Sequence, residues 1–438
     1  MFLRIPGGKP LNKTAHETKP KAVICALDVK GKARDTDEFS LTAEESVQEL
    51  ARLAETLGLE VAATVIQERP APDPATYLGR GKVQEIAGLV TDYGASYVLV
   101  DGQLSPSQAY NLEEILGVQV LDRTEVILRI FAQRARTKEG KLQVELATKR
   151  HELTRLTGHG AAMSSLGGGI GTRGPGEQKL EVDRRVLRRR ISQLTDSLEK
   201  VRKVREMQRK RRRESRIPQV SLVGYTNAGK STLFRALTGE EVLCDDMLFA
   251  TLDPWTRRWI LPSGMVVLLS DTVGFIQKLP HELVYAFRAT LEESLEADLL
   301  IHVVDASSPT WEHQAETVEN VLRDLGASQI PMITVFNKID MLPDKEVDNI
   351  MAGTKGRALG ISALHGDGID ELAAMVEDEL LRDTQVVSLL VPYSMWDIVS
   401  EIRTCGSILD EVHGESGALI ICRLNPVDAN RINKKLSG

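Results

Sequence analysis

Residues 219–231 read QVSLVGYTNAGKS, and the last eight, Gly224-Tyr225-Thr226-Asn227-Ala228-Gly229-Lys230-Ser231, fit G-x-x-x-x-G-K-[ST]. The apolar run predicts a buried strand over Gln219–Val223, and a helix is expected to begin near Lys230. A glycine-bearing turn between a strand and a helix N-terminus offers backbone N–H groups to an anion, and the helix dipole adds to the attraction. Lys230 can then reach the β- and γ-phosphates of a nucleotide, and the Ser231 hydroxyl can ligate Mg²⁺. Thr232, next in the helix, belongs to the same expected set.

Further segments follow in a telling order. Asp271-Thr272-Val273-Gly274 ends the apolar run MVVLLSD, where a carboxylate holds Mg²⁺ through water and a glycine N–H meets a γ-phosphate. Asn337-Lys338-Ile339-Asp340 ends MITVFN. A carboxylate there accepts two hydrogen bonds from guanine N1–H and its exocyclic amine, a pair that adenine lacks. Ser362-Ala363 follows RALGI, where a backbone N–H can meet guanine O6. Thr251, within FATLDPWTRR, lies in the interval where a hydroxyl completes the Mg²⁺ shell. Each segment alone says little; the ordered set implies a GTP site.

Two residues bear on hydrolysis. Phe275 stands after Gly274, where many small GTPases carry the glutamine that orients the attacking water. An aromatic ring cannot do so, and it also reads as a packed hinge residue. Unstimulated hydrolysis should therefore be slow, the water-orienting group is unassigned, and Lys230 and Thr251 are left to support the transition state. Asn227 reads equally as a ligand for K⁺ beside the phosphates and as a turn residue of unusual backbone.

Outward from this core, residues 21–144 alternate between strand-like runs (AVICAL, VAATVI, SYVLV, VQVL) and helix-like segments, the pattern of a mostly parallel sheet. Thr42 and Glu45 form a capping box ahead of Val47, Leu50, Leu53 and Leu57. Gly94 and Gly117 close two helices. Leu142, Leu146, Leu153 and Leu156 mark a helix expected to end at Gly158. Eight glycines follow between Gly158 and Gly176. A second helix is expected over about Glu177–Arg216, its seam Leu187, Ile191, Leu194, Leu198 and Val201. An antiparallel hairpin joined by a glycine loop results. Ile217-Pro218 breaks the second helix and the nucleotide-binding region begins. From Val386 the order becomes strand, helix, strand, strand, helix.

The 438 residues hold 55 Lys and Arg against 62 Asp and Glu, a net charge of −7. Residues 179–216 alone balance at +10 and the remainder at −17. RRVLRRR (184–190) and RKRRRESR (209–216) are denser than solubility needs, and the segment has no aromatic ring, so phosphate-backbone binding is expected rather than base stacking. Cys25, Cys244, Cys405 and Cys422 lack paired spacing, which speaks against a disulfide framework or zinc site. No run reaches the ~18 apolar residues of a membrane span, and the N-terminus lacks a signal-peptide core. A cytoplasmic monomer is expected. His302, inside an apolar strand, reads as a core residue.

Several segments together resemble the HflX family of ribosome-associated GTPases. They are YLGRGKVQEI (77–86), LSPSQAYNLEE (104–114), DRTEVILRIFAQRARTKEGKLQVELA (122–147), GGGIGTRGPGEQKLEVDRR (167–185), GYTNAGKSTLF (224–234), LFATLDP (248–254) and DTVGFIQKLPHELV (271–284). The likeness runs from about Lys21 to Leu380; the C-terminal part matches only in general pattern. The resemblance implies a protein that binds the large ribosomal subunit and its RNA and separates stalled or idle ribosomes, its hairpin directed toward the peptidyl-transferase region. Phe275 fits a family in which a hydrophobic residue replaces the glutamine. The implied GTP-binding positions are Gly224 to Ser231, Phe249-Ala250-Thr251-Leu252-Asp253, Asp271 to Gly274, Asn337 to Asp340, and Ser362-Ala363-Leu364. Ser231 and Thr251 are the implied Mg²⁺ ligands.

The expected architecture is α/β throughout: a tail (1–20), an N-terminal α/β domain (21–140), a basic helical hairpin (141–216), a P-loop G domain with a mostly parallel sheet (217–382) and a small α+β domain (383–438). Two rival readings stay open: a GTPase of ribosome assembly or tRNA modification, and a nucleotide-gated RNA-binding adaptor with negligible turnover.

Overall fold

In the strand Lys21–Val29 (β1) every residue from Ala22 to Ala26 is buried, as befits a central strand covered on both faces. The computed structural model describes residues 19–29, 42–166, 175–215, 217–239, 249, 255–277, 297–353, 356–382 and 384–437. Glu60–Arg69 (β2), Tyr97–Asp101 (β3) and Gln119–Asp122 (β4) complete an all-parallel sheet of order β2-β1-β3-β4. Ala43–Thr56 (α1), Arg80–Tyr93 (α2) and Pro106–Leu116 (α3) alternate with the strands, and Arg123–Arg134 (α4) follows β4. The capping box forms as expected: Glu45 N–H donates to Thr42 Oγ1 at 3.2 Å and Thr42 N–H to Glu45 Oε2 at 2.8 Å. It starts α1 so that Val47, Leu50 and Leu53 meet the sheet.

Lys138–Leu166 (α5) and Pro175–Ser215 (α6) form the antiparallel hairpin. Here one expectation fails: α5 does not end at Gly158 but continues to Leu166. Each helical glycine costs only about 1 kcal/mol relative to Ala, and extending a formed helix adds a hydrogen bond per residue. Ala161, Ala162 and Met163 favour helix, and no proline intervenes before Pro175. The expected glycine loop shrinks accordingly, and its remaining residues, 167–174, lie outside the described residues. In α6 the seam is as expected, with Leu194 buried and Leu187, Ile191, Leu198 and Val201 half-buried. Arg184 donates to the Leu156 carbonyl at 2.9 Å, Arg190 pairs with Glu145 at 2.6 Å, and Arg155 of α5 pairs with Glu125. Forty-one residues of α6 extend for about 60 Å.

Gln219–Gly224 (β5) opens a six-stranded sheet with Trp255–Ile260 (β6), Val266–Asp271 (β7), Leu299–Asp305 (β8), Met332–Asn337 (β9) and Ala358–Ile361 (β10). The order is β10-β9-β8-β5-β7-β6, and only β6 runs antiparallel to its neighbour. Apolar runs do not predict β6: it sits at an edge, where Arg257 and Arg258 are tolerated and only Trp259 is buried. Lys230–Thr238 (α7), Trp311–Asp324 (α8), Asp344–Gly353 (α9) and Ile369–Leu380 (α10) accompany this sheet.

The C-terminal order is as expected: Gln385–Pro392 (β11), Asp397–Cys405 (α11), Gly406–His413 (β12), Gly417–Leu424 (β13) and Pro426–Ser437 (α12). Its antiparallel sheet, β11-β13-β12, packs one face on Ile398, Ile402 and Ile432 of the two helices.

His302, in the middle of β8, is buried as expected, and neither ring nitrogen has a hydrogen-bond partner among the described residues. Burial first, and the Lys230 charge second, depress its pKa to about 4. The unfolded chain therefore binds a proton that the folded chain refuses, so stability falls as the pH drops from about 6.5 toward 4. Between pH 7 and pH 5 this one ring should remove about 2 kcal/mol. Urea unfolding of the wild type and His302→Leu at both pH values checks it: the variant should lose less stability by that amount. Equal losses would clear His302 of the effect.

Candidate functional site

The chain leaves β5 at Gly224, turns through Tyr225–Gly229 and enters α7 at Lys230. Two left-handed residues make the turn, Asn227 at φ 63° and Gly229 at φ 92°. At Gly229 a Cβ would run into the Asn337 amide, so glycine is required twice over. Asn227 fills the turn-residue role, with its side chain exposed at the rim.

Asn337 holds three segments together. Its Nδ2 donates to the Ala228 carbonyl and its Oδ1 accepts from Ala363 N–H, both at 2.9 Å. The P-loop, the end of β9 and the turn after β10 thus share one buried amide. The Ala363 N–H is engaged here, while Leu364 beside it is exposed. Lys338 adopts φ 67°, and its ammonium meets Asp305 Oδ2 at 2.6 Å. The short turn Ile339–Met341 then presents Asp340, whose Oδ2 lies 3.8 Å from His365 Nε2.

At the opposite end, Lys230 Nζ donates to the carbonyls of Tyr225 at 2.7 Å and Gly224 at 3.0 Å. Ser231 Oγ donates to Asp271 Oδ2 at 2.8 Å, bringing two expected Mg²⁺-site residues together. Thr272 Oγ1 donates to the Leu222 carbonyl at 2.6 Å and fixes the end of β7. Gly274 lies against the loop, since a Cβ there would sit 2.9 Å from Thr226 Cα. Phe275 N–H donates to the Gly224 carbonyl at 3.1 Å, and its carbonyl accepts Thr226 N–H at 2.8 Å. In this arrangement the protein itself engages the P-loop N–H groups of Thr226 and Ala228, the latter on the Tyr225 carbonyl at 3.3 Å, as well as the lysine ammonium. Ala250, Thr251, Leu252 and Asp253 lie outside the described residues.

Sequence reading misses the partners supplied by the N-terminal domain. The Tyr225 hydroxyl donates to Glu49 of α1 and accepts from Gln277 N–H at 2.8 Å. Glu49 pairs with Arg123, which also meets Asp101 at 2.9 Å; Asp101 accepts from Ser46 Oγ at 2.6 Å. Burial and the adjacent Glu49 carboxylate push the Tyr225 phenol well above its usual pKa, so it stays a donor. Phe249 stacks edge-on against Phe131 of α4, with ring centroids 4.6 Å apart. Phe275 is buried in the same cluster, which places it in the hinge-packing role. The one sequence signal is Arg123, a charge heading the apolar helix that starts DRTEVILRIF.

Burial depresses the Lys230 pKa to about 8, against the opposing pull of Asp271. Phosphates bind the ammonium form, so nucleotide affinity should decline once the pH passes that value. Between pH 7 and pH 8.5 the loss should be about fourfold. Titrating a fluorescent GDP analogue across this range tests it, and a flat profile would mean that the ammonium is already fully charged.

Three described families match in succession: "GTP-binding GTPase N-terminal" over residues 44–132, "GTP-binding GTPase Middle Region" over 134–212, and "50S ribosome-binding GTPase" over 219–338. The chain is 48% identical to a GTPase HflX of Caldanaerobacter subterraneus subsp. tengcongensis, covering 88% of this chain and 90% of that protein. It is 44% identical to GTPase HflX of Escherichia coli K12, over 89% and 92% respectively. Among solved structures, a GTP-binding protein from Sulfolobus solfataricus in complex with GDP aligns at 25% identity and a TM-score of 0.44, covering 82% of this chain and 98% of that one. With identity this high over nearly nine-tenths of its length, the chain belongs to the HflX family of GTPases and hydrolyses GTP.

Proposed function

We propose that this GTPase binds the large ribosomal subunit and splits stalled or idle ribosomes, with GTP controlling when the hairpin engages. The observation that carries the reading is the row Arg185, Arg188 and Arg189 on α6, exposed and without an ion pair among the described residues. Arg184 and Arg190 of the same run hold α5 instead. A row of guanidinium groups away from carboxylates suits the phosphates of structured RNA. The matched description of residues 219–338 as a 50S ribosome-binding GTPase supports the same partner.

Within the G domain, Asp340 would choose guanine, and Lys230 with the P-loop amides would hold the phosphates. Ser231 and Asp271, two hard oxygen donors side by side, suit Mg²⁺. When bound, the ion would neutralise charge on the β- and γ-phosphates. Thr251 is the further ligand we infer. Asn227 makes no hydrogen bond through its side chain among the described residues, so its exposed amide can meet a K⁺ ion. Phe275 cannot orient the attacking water as a glutamine does in other GTPases, so we infer that ribosome contact supplies or arranges the missing group. Cytoplasmic location follows from such a partner, and no described helix is long and apolar enough to cross a membrane.

Light scattering of intact ribosomes, with sucrose gradients in GTP and a non-hydrolysable analogue, tests splitting directly; particles that stay whole while the protein binds would reject it. Replacing Arg185, Arg188 and Arg189 with Glu should weaken ribosome binding and flatten its salt dependence, by roughly one unit of slope for each phosphate no longer neutralised. An unchanged slope would move the RNA-binding surface elsewhere. Asp340→Asn should lower GTP affinity by about 3 kcal/mol and improve XTP binding, since xanthine offers an acceptor where guanine offers a donor. Nucleotide competition measures both, and a wild-type GTP to XTP ratio would remove Asp340 from the guanine site.

A further inference from the structure

The C-terminal sheet has two faces, and α11 and α12 cover only one of them. On the other, the strand register aligns Leu390 of β11, Leu419 of β13 and Val412 of β12 in a single row. Directly opposed residues share a face, so these three side chains stand together. They are 62%, 39% and 52% exposed, and Val386 and Leu409 add to the apolar surface. Scattered exposed leucines need no explanation, but a cross-strand row of them on a sheet this small does.

We propose that this face docks an amphipathic helix of another protein, one whose apolar stripe is flanked by Lys or Arg. Three features select that occupant. The row crosses three strands spaced about 4.8 Å apart, so it is ~10 Å long, close to two helical turns. Residues i, i+3 or i+4, and i+7 of a crossing helix would therefore fall on Leu390, Leu419 and Val412. The size of the face argues against a second copy of this chain. Three strands with about four outward residues each present roughly 400 Å², about half of what each partner of a stable pair buries. A face of that size adds to a larger encounter rather than holding one alone.

Charge completes the assignment. Glu411 is already occupied by Arg403 at 3.5 Å and His413 at 3.1 Å. Asp410 on β12 and Glu415 at the hairpin tip are exposed and make no ion pair among the described residues. Arg423, half-buried two residues beyond Ile421 on the same face, is the cation at the opposite end. The β12 side of the row is therefore acidic and would meet the basic flank of the docking helix. Single-stranded RNA is the competing class, because Tyr393, His413 and Trp396 form a ring stack at the hairpin end of the same sheet, on its helix-covered side, with centroids 6.1 Å and 5.7 Å apart. The unbalanced carboxylates oppose a polyanion there, so the protein helix is favoured.

The test uses the full chain and labelled 18-residue helical peptides, one of Leu and Lys and one of Leu and Glu, in fluorescence anisotropy. The basic peptide should bind at least tenfold more tightly than the acidic one. Leu390→Ser with Leu419→Ser should weaken it tenfold or more while the thermal midpoint stays within a few degrees. Asp410→Lys with Glu415→Lys keeps the apolar row and should narrow the preference between the two peptides at least fivefold. Equal binding of the basic peptide by wild type and the double serine variant would overturn the proposal. So would oligouridylate binding that disappears in that variant, which would make RNA the occupant. A dimer of the wild type at tens of micromolar, absent in the same variant, would instead assign the face to self-association and overturn it too.

Discussion

The constraint on which the arrangement depends is the need to keep Arg123 charged while it is buried. A buried guanidinium is strongly unfavourable unless carboxylates answer it closely. Glu49 and Asp101 do so, and their pull outweighs the desolvation that works against the charge. These groups come from α4, α1 and the end of β3, so one ion cluster fixes the helices of the N-terminal domain against its sheet. Glu49 has a second oxygen, and it accepts from the Tyr225 hydroxyl of the P-loop. The charge that organises the first domain is thus also what holds the phosphate-binding loop to it.

That connection puts the seam between domains on the residues that should sense a γ-phosphate. Tyr225 belongs to the P-loop, Phe249 precedes Thr251, and Phe275 follows Gly274. All three are buried in one cluster with Ile127, Ile130 and Phe131. Packed cores resist continuous deformation, so a shift of Gly274 toward a nucleotide has to be transmitted to the cluster or prevented by it. The hydrogen bonds between Phe275 and the loop strengthen the same restraint. Any movement of Gly274 with nucleotide would therefore bear on the contact between the domains.

Most of the secondary structure is legible in the sequence because buried parallel strands are written as unbroken apolar runs, and β1, β5, β8 and β9 are such runs. β6 is not, since an edge strand with Arg257 and Arg258 carries no such run. The end of α5 is misread because glycine looks like a stop where it only weakens a helix already propagating. Within the site, the ordered motifs mark the P-loop, the guanine segment and the Asp271 segment. What they cannot reveal are contacts between distant residues: Asp305 beneath Lys338, Asn337 bridging to Ala228 and Ala363, and Glu49 against Tyr225. Local spacing carries information about neighbours along a helix or strand, whereas these pairs are set by how sheets and helices stack.

The hairpin shows the same separation between what a sequence encodes locally and what the fold decides. Ten or more basic side chains crowd α6, and like charges at helical spacing weaken an isolated helix by a few tenths of a kcal/mol per pair. Its apolar stripe is narrow, and among its described residues only Leu194 is fully buried. The helix is kept by the contacts that α5 makes with it, including Arg190 on Glu145 and Arg184 on the Leu156 carbonyl. α5 is in turn held by Arg155 on Glu125 of α4, close along the helix to Arg123. The long basic arm is therefore braced on the same helix that carries the buried arginine and packs Phe131 on Phe249. From the arm through α5 and α4, one unbroken series of contacts leads to the residues around the phosphate-binding loop.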